Sequence, residues 1–263
     1  MLAQEIKPAI SQTQSAIQGV AERLCAGGYP EPNRRTQARA RTWYAQYLKT
    51  IIQNDVKDIA AIRDEDELQR LAELLALRTA NLLNVNSLAG DVGLRRETTD
   101  KYIGLLEHLF LLRRLPAWHN NRSKRLVKTP KIHWVDSGLA AMLNNLSPKD
   151  WNSFSTDFGP LLESFVVQQI TAQVAWLDDT VHLSHYRDKD QVEVDLVIEQ
   201  GQNVWGIEVK KAASIQHKDG EGLQRLATQA GSNFKGGALI YCGNNCLPLK
   251  TPNCYAVPIN WLW

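Results

Sequence analysis

The sequence predicts a mixed fold of the α+β / α/β class in two parts, a helical region over residues 1–145 and a sheet flanked by helices over residues 158–263. Three observations predict it. Apolar residues recur at three- and four-residue spacing up to about residue 80, β-rich and partly alternating runs follow residue 180, and a polar stretch punctuated by Pro148 separates the two. With 263 residues, 44% of them hydrophobic and 22% charged, the chain can build two ordinary cores and lacks the composition of a disordered protein.

The first part reads as a helical bundle. GlnThrGlnSerAlaIle, the run TrpTyrAlaGlnTyrLeuLysThrIleIle, and Leu68, Leu71, Leu74, Leu75 and Leu77 all carry helical spacing. A break at Gly27, Gly28, Tyr29, Pro30, Glu31 and Pro32 separates the first helix from the second. From Asn86 the pattern becomes two short helices split at Gly93, with Ser87 read as the cap of the first. Arg95, Arg96, Thr98, Thr99 and Lys101 cluster at the start of the second, which is helix-turn-helix spacing.

An apolar run (Phe110, Leu111, Leu112), a polar turn (His119 to Lys124) and an extended segment from Leu126 to Val135 follow. A hairpin behind a helix-turn-helix makes a winged helix. Between Leu109 and Val135 stand seven Arg or Lys residues and no Asp or Glu, so one surface would carry a positive field suited to nucleic acid, DNA above all. The candidate contacts are Arg95, Arg96, Thr98, Thr99, Lys101, Arg122, Lys124, Arg125 and Lys128. The competing reading is a structural hairpin that supports the neighbouring domain.

Composition narrows the remaining classes. No apolar stretch approaches the roughly 20 residues of a membrane span, and Glu5 and Lys7 stand where a secretory signal would be apolar, so a cytoplasmic location is expected. Cys25, Cys242, Cys246 and Cys254 are read as thiols, because their spacings fit neither a disulfide framework nor a zinc site. The net charge of +2 implies no polyanionic partner by itself.

The second part opens with a helix from about Pro160 to Val174, striped by Leu162, Phe165, Val166, Ile170 and Val174, with Glu163 near the stripe. Three strands follow in ValHisLeuSerHisTyrArg, GlnValGluValAspLeuValIle and AsnValTrpGlyIleGluValLys. Gly201 at the first central position suits a two-residue type II′ hairpin between the last two. Counting outward pairs Gln200 with Asn203, Ile198 with Trp205, Leu196 with Ile207, and hence Asp195 with Glu208. Regular alternation then sets Glu193 on the face of Asp195 and Lys210 on that of Glu208.

Two neighbouring carboxylates repel, and the arrangement calls for a cation, a shared proton or a lysine. One solution is a Mg²⁺ (or Mn²⁺) ion held by Asp195 and Glu208, with Glu163 adding a ligand and Lys210 orienting a metal-bound water toward a phosphodiester. The other is a cross-strand salt-bridge ladder of Glu193, Asp195, Glu208 and Lys210. Spacing alone leaves the two open.

The stretch ValAspLeuValIle, with GluValLys thirteen residues after Asp195 and a preceding helical glutamate, resembles the PD-(D/E)xK nuclease core. The resemblance implies Asp195, Glu208 and Lys210 as its catalytic acids and lysine, with Glu163 as the helical acid and Gln224 at the position of a glutamine that some members use. More of the chain is similar to the C-terminal half of a family of prokaryotic AAA-type ATPases. That similarity runs through GlyGlyTyrProGlu, AsnValAsnSerLeuAla, ThrThrAspLysTyr, LysArgLeuValLysThrProLys, AspSerGlyLeuAla, HisTyrArgAspLysAsp, GlyIleGluValLys and the terminal ValProIleAsnTrpLeuTrp. Such proteins carry an ATPase domain ahead of this region, and no G-x-x-x-x-G-K-[ST] phosphate loop occurs here, so ATP is not expected to bind. A metal-dependent, nuclease-like nucleic-acid-binding protein is the expectation. The alternative is a non-catalytic regulatory or assembly module that works with an ATPase partner.

Overall fold

The structure is a computed structural model that describes residues 19–55, 65–125, 127–153 and 157–263. The predicted helical run GlnThrGlnSerAlaIle lies outside the described residues. Among those described, a helical segment over 19–26 is followed by eight α-helices and, in the second half, a mixed sheet of six strands. No described helix is long and apolar enough to cross a membrane.

After the break at Gly27 come α1 (Gln37–Thr50), continued by a π-helical turn at Ile51–Asp55, then α2 (Glu65–Leu77). In α2 the leucines at positions 68, 71 and 75 are fully buried with Ala72 and Ala76, while Leu77 lies off this stripe and is exposed. Next stand α3 (Val85–Val92) and α4 (Arg96–His108). Gly93 separates them at φ +72, a left-handed C-cap that glycine adopts without strain. The cap of α3 is Asn84 and not Ser87. The Asn84 side chain accepts the Ser87 N–H at 3.0 Å, and Ser87 sits inside the first turn.

Strands β1 (Leu112–Leu115) and β2 (Lys131–Trp134) pair antiparallel. The predicted polar turn holds a short helix, α5 (Arg122–Arg125), and the extended segment is four residues long, not ten. After β2, α6 (Ser137–Leu143) begins at Asp136, whose carboxylate accepts the Leu139 N–H at 2.8 Å and the Gly28 N–H at 2.6 Å. Two glycine-bearing stretches far apart in sequence meet there, and Tyr44 closes the contact by donating to the Ala26 carbonyl at 2.7 Å.

The expected linker is packed. Pro148 and Trp151 are buried in a 3-10 turn (Pro148–Asn152), the Trp151 ring lies 5.2 Å from that of Phe158, and the Lys211 ammonium sits 5.1 Å over the Trp151 ring. A proline and polar residues mark a loop, but an embedded tryptophan has too much apolar surface to leave in water.

Helix α7 (Gly159–Val174) precedes β3 (Val181–Arg187), β4 (Glu193–Gln200) and β5 (Asn203–Lys210), and α8 (Glu221–Ala230) leads into β6 (Phe234–Tyr241), β7 (Leu247–Pro248) and β8 (Cys254–Pro258). The strand order is β3-β4-β5-β6-β8-β7, antiparallel through β3, β4 and β5 and parallel through β5, β6 and β8. The two faces are covered by different helices. Leu161, Leu162, Phe165 and Val166 of α7 pack with Leu196, Ile207 and Ile240, while Leu223 and Leu226 of α8 pack with Val194, Val197 and Val204.

Candidate functional site

The β4–β5 turn has the predicted geometry. Gly201 takes φ +62, and the register runs Gln200 with Asn203, Ile198 with Trp205 and Leu196 with Ile207. The ladder stops there. The Val209 N–H is taken by the Asp195 side chain, whose Oδ2 accepts it at 2.9 Å.

Regular alternation also fails at this point. Ser184 pairs with Val197 and Tyr186 with Val194, so the single residue His185 of β3 opposes two residues of β4, Asp195 and Leu196. Such a bulge bends the strand and resets which face its side chains meet. Leu196 joins the core under α7, and Asp195 reaches the same side, with Oδ1 3.3 Å from the Lys131 ammonium. Glu208 turns to the other face, where Oε1 accepts the Leu223 N–H at the start of α8 at 3.1 Å. The predicted sharing of one face by Asp195 and Glu208 therefore gives way to a pair straddling the splayed end of the ladder. Lys210 stays with Glu208, Nζ to Oε2 at 3.9 Å, and is 41% exposed.

Lys131 is the residue the sequence reading missed. It comes from β2 of the helical region, its side chain is 3% exposed, and its Nζ lies 2.9 Å from Glu163 Oε1, 3.1 Å from Glu193 Oε2 and 3.3 Å from Asp195 Oδ1. Arg187 adds a second cation to Glu193 at 3.0 Å. A signal was available: Lys131 is followed by Ile132, His133 and Trp134, and a lysine leading an otherwise apolar buried strand needs an internal partner.

Electrostatics follow from this seating. Burial opposes the charge on Lys131, but Glu163, Asp195 and Glu193 outweigh it and hold the ammonium pKa above the ordinary lysine range. Burial pushes Glu208 up to about 8, helped by the nearby charge of Asp195. Burial, with the Lys131 charge second, pushes the His133 ring down to about 3 and the His185 ring down to about 4, so both are neutral. His133 Nδ1 pairs with Ser164 Oγ at 2.9 Å, and His185 Nε2 pairs with the Thr129 carbonyl at 3.1 Å.

The fit to a metal ion is poor as the side chains stand. Among the described residues no group of three or more His, Cys, Asp or Glu is set to hold one. The space among Glu163, Glu193 and Asp195 is taken by an ammonium, and Glu208 spends one carboxylate oxygen on α8. Gln224 is exposed on α8 and lines a groove with Lys218, Arg225 and Lys250.

The candidate nucleic-acid contacts divide into two sets. Arg95, Arg96 and Lys101 are exposed at the start of α4 and Thr98 is half-buried, whereas Thr99 is fully buried and donates to the Arg95 carbonyl at 3.1 Å. The hairpin is docked, not free. Trp118 N–H donates to the His185 carbonyl at 2.6 Å, His185 N–H to the Pro116 carbonyl at 2.9 Å, and Arg125 grips Glu199 with Nη2 to Oε1 at 2.9 Å. Lys128 is exposed and reaches the Arg187 carbonyl at 3.4 Å. The side chains of Arg122 and Lys124 lie outside the described ones. Arg113 is half-buried against Gln168 and Arg114 pairs with Glu107 at 2.9 Å, so among the hairpin bases whose side chains are described, Arg113, Arg114, Arg125 and Lys131 have partners inside the molecule.

Comparison with known proteins adds names without activities. The family model described as a domain of unknown function (DUF8612) matches residues 17–150, and a second domain of unknown function (DUF4143) matches residues 158–262. An uncharacterized protein of Mycobacterium bovis and one of Mycobacterium tuberculosis are each 25% identical over 196 residues, covering 74% of this chain. The match covers 44% of the length of each of those relatives. No solved structure matches.

Proposed function

The chain belongs to the family of the domain of unknown function DUF8612, and we propose that it is a non-catalytic, nuclease-like module that contacts nucleic acid and works with an ATPase partner. What supports the absence of catalysis is one observation, the Lys131 ammonium seated among Glu163, Glu193 and Asp195. A carboxylate site whose centre already holds a tethered ammonium has less attraction, and no room, for a hard divalent ion. The exposed Arg95, Arg96 and Lys101 on α4 support the nucleic-acid contact, because phosphate binding needs cations that reach the surface. The sequence similarity to the C-terminal half of AAA-type ATPases supports the partner.

The test is direct. Supercoiled plasmid incubated with the protein and Mg²⁺ or Mn²⁺ is expected to stay uncut, while a duplex binds with an affinity that falls as salt rises. Nicking that Asp195→Ala abolishes would overturn the proposal, and binding indifferent to salt would remove its nucleic-acid part.

A second reading, the metal-dependent nuclease, is favoured by the approach of Lys210 to Glu208 at 3.9 Å beside Asp195. It requires Lys131 to withdraw before Mg²⁺ could bind.

A further inference from the structure

The least expected feature of the molecule is a buried lysine from one sequence region sealed by acids of another. Lys131 lies on β2, within the stretch matched by DUF8612, and all three of its carboxylate partners lie within the stretch matched by DUF4143. The hairpin that delivers it is held on both sides of the contact. The Pro116 carbonyl and Trp118 N–H, just after β1, join the hairpin to β3 at His185, the residue opposite the Asp195 bulge, and Arg125 ties it to Glu199 of β4. The strand bulge, the docked hairpin and the ammonium thus form one arrangement.

A divalent ion and an ammonium cannot share this space. Three carboxylates within 3.3 Å of one nitrogen surround a compact positive charge on several sides, which is what they would do for a hard cation, and Lys131 is tethered there by the fold. We propose that Lys131 is the resident cation of the cluster, an intramolecular plug, so that hairpin docking and divalent-ion binding are alternatives. The proposal rests on the reading that the cluster is not a standing metal site, and it adds why.

The plug has a consequence for both regions. Withdrawing Lys131 leaves Glu163, Glu193 and Asp195 facing one another with Arg187, on Glu193, as the remaining counter-charge among the described residues. That state is unstable unless a cation or a proton enters.

The experiment uses the whole chain, Mn²⁺ as the probe and thermal unfolding as the readout. Wild type is expected to show no rise in Tm with Mn²⁺. Lys131→Met, which keeps the length and removes the charge, is expected to melt lower, and Mn²⁺ at a hundred times its Kd is expected to restore about 5–10 °C. Lys131→Met combined with Asp195→Asn should lose that rescue, and Lys131→Arg should stay silent. A wild type that Mn²⁺ stabilises as much as Lys131→Met overturns the plug, and so does a Lys131→Met protein that Mn²⁺ leaves unchanged. Should Lys131→Met and Lys131→Gln both fail to fold without metal, far-UV circular dichroism during Mn²⁺ addition decides, with recovery of structure expected and its absence overturning the idea. Plasmid nicking plays no part in this readout, so a nicking wild type sinks the non-catalytic reading while the Tm series judges the plug separately.

Discussion

The Glu208 carboxylate accepts the Leu223 N–H at 3.1 Å, so an acid on β5 caps the first turn of α8, on the face of the sheet away from α7. An N-terminal helical N–H favours a negative partner, but burial works against the charge, and burial wins: the Glu208 pKa rises from 4.5 to about 8.

That shift has a sign. Between pH 4.5 and about 8 the folded state holds a proton on Glu208 that the unfolded state has released, so this group's stabilising contribution falls as pH rises through that window. At about 1.4 kcal/mol per pKa unit the change reaches several kcal/mol. His133 and His185, lowered in the fold, act oppositely, losing stability as pH falls below their unfolded value of 6.5. Comparing wild type with Glu208→Gln isolates the carboxyl. The variant is expected to show a flatter or rising Tm from pH 5 to 8, and an unchanged wild-type slope would contradict the assignment.

Gly222 stands where α8 crosses the sheet. A Cβ there would run into the Glu193 carbonyl oxygen and Glu208 Oε1, and a backbone oxygen cannot rotate away. Gly222→Ala is expected to cost about 1–3 kcal/mol by denaturant unfolding. Gly104, inside α4, has open space where its Cβ would go, and Gly104→Ala should gain roughly 0.4–1 kcal/mol. Equal effects at both positions would refute the packing argument.

The basic residues should separate by role. Arg96→Ala and Lys101→Ala are expected to lower the salt slope of DNA binding by about one each while leaving stability near wild type. Arg125→Ala removes a half-buried double contact with Glu199 and should cost roughly 1.5–3 kcal/mol of stability with little change in the slope. Fluorescence anisotropy across a salt series, beside urea melts, checks both halves. A reversed pattern would move the nucleic-acid surface to the hairpin.

Asp136 holds the first helical segment to the rest of the helical region. Asp136→Ala removes the cap of α6 and leaves the Gly28 N–H without its acceptor, for an expected loss of roughly 2–4 kcal/mol. Hydrogen exchange should localise the loosening to residues 19–28 and α6. Loss confined to α6 would show that the Gly28 contact contributes little.

Much of the local structure was legible in the sequence because it depends on near neighbours. The leucine spacing of α2, the left-handed stop at Gly93, the limits of α7 and the register across Gly201 all follow from periodicity and turn chemistry within a few residues. The same near-neighbour reasoning named Glu163, Asp195, Glu208 and Lys210. It could not foresee how they are shared out, because a bulge at Asp195 depends on His185 of the next strand, and its preference is not written in the residues around Asp195. Tertiary structure alone decided that Arg113 is seated against Gln168, that Arg125 is matched to Glu199, and that the cation among the carboxylates is Lys131. The physical reason is that charge pairing in a buried site is settled by which surfaces meet, and these surfaces are carried by parts of the chain as far apart as Lys131 and Asp195.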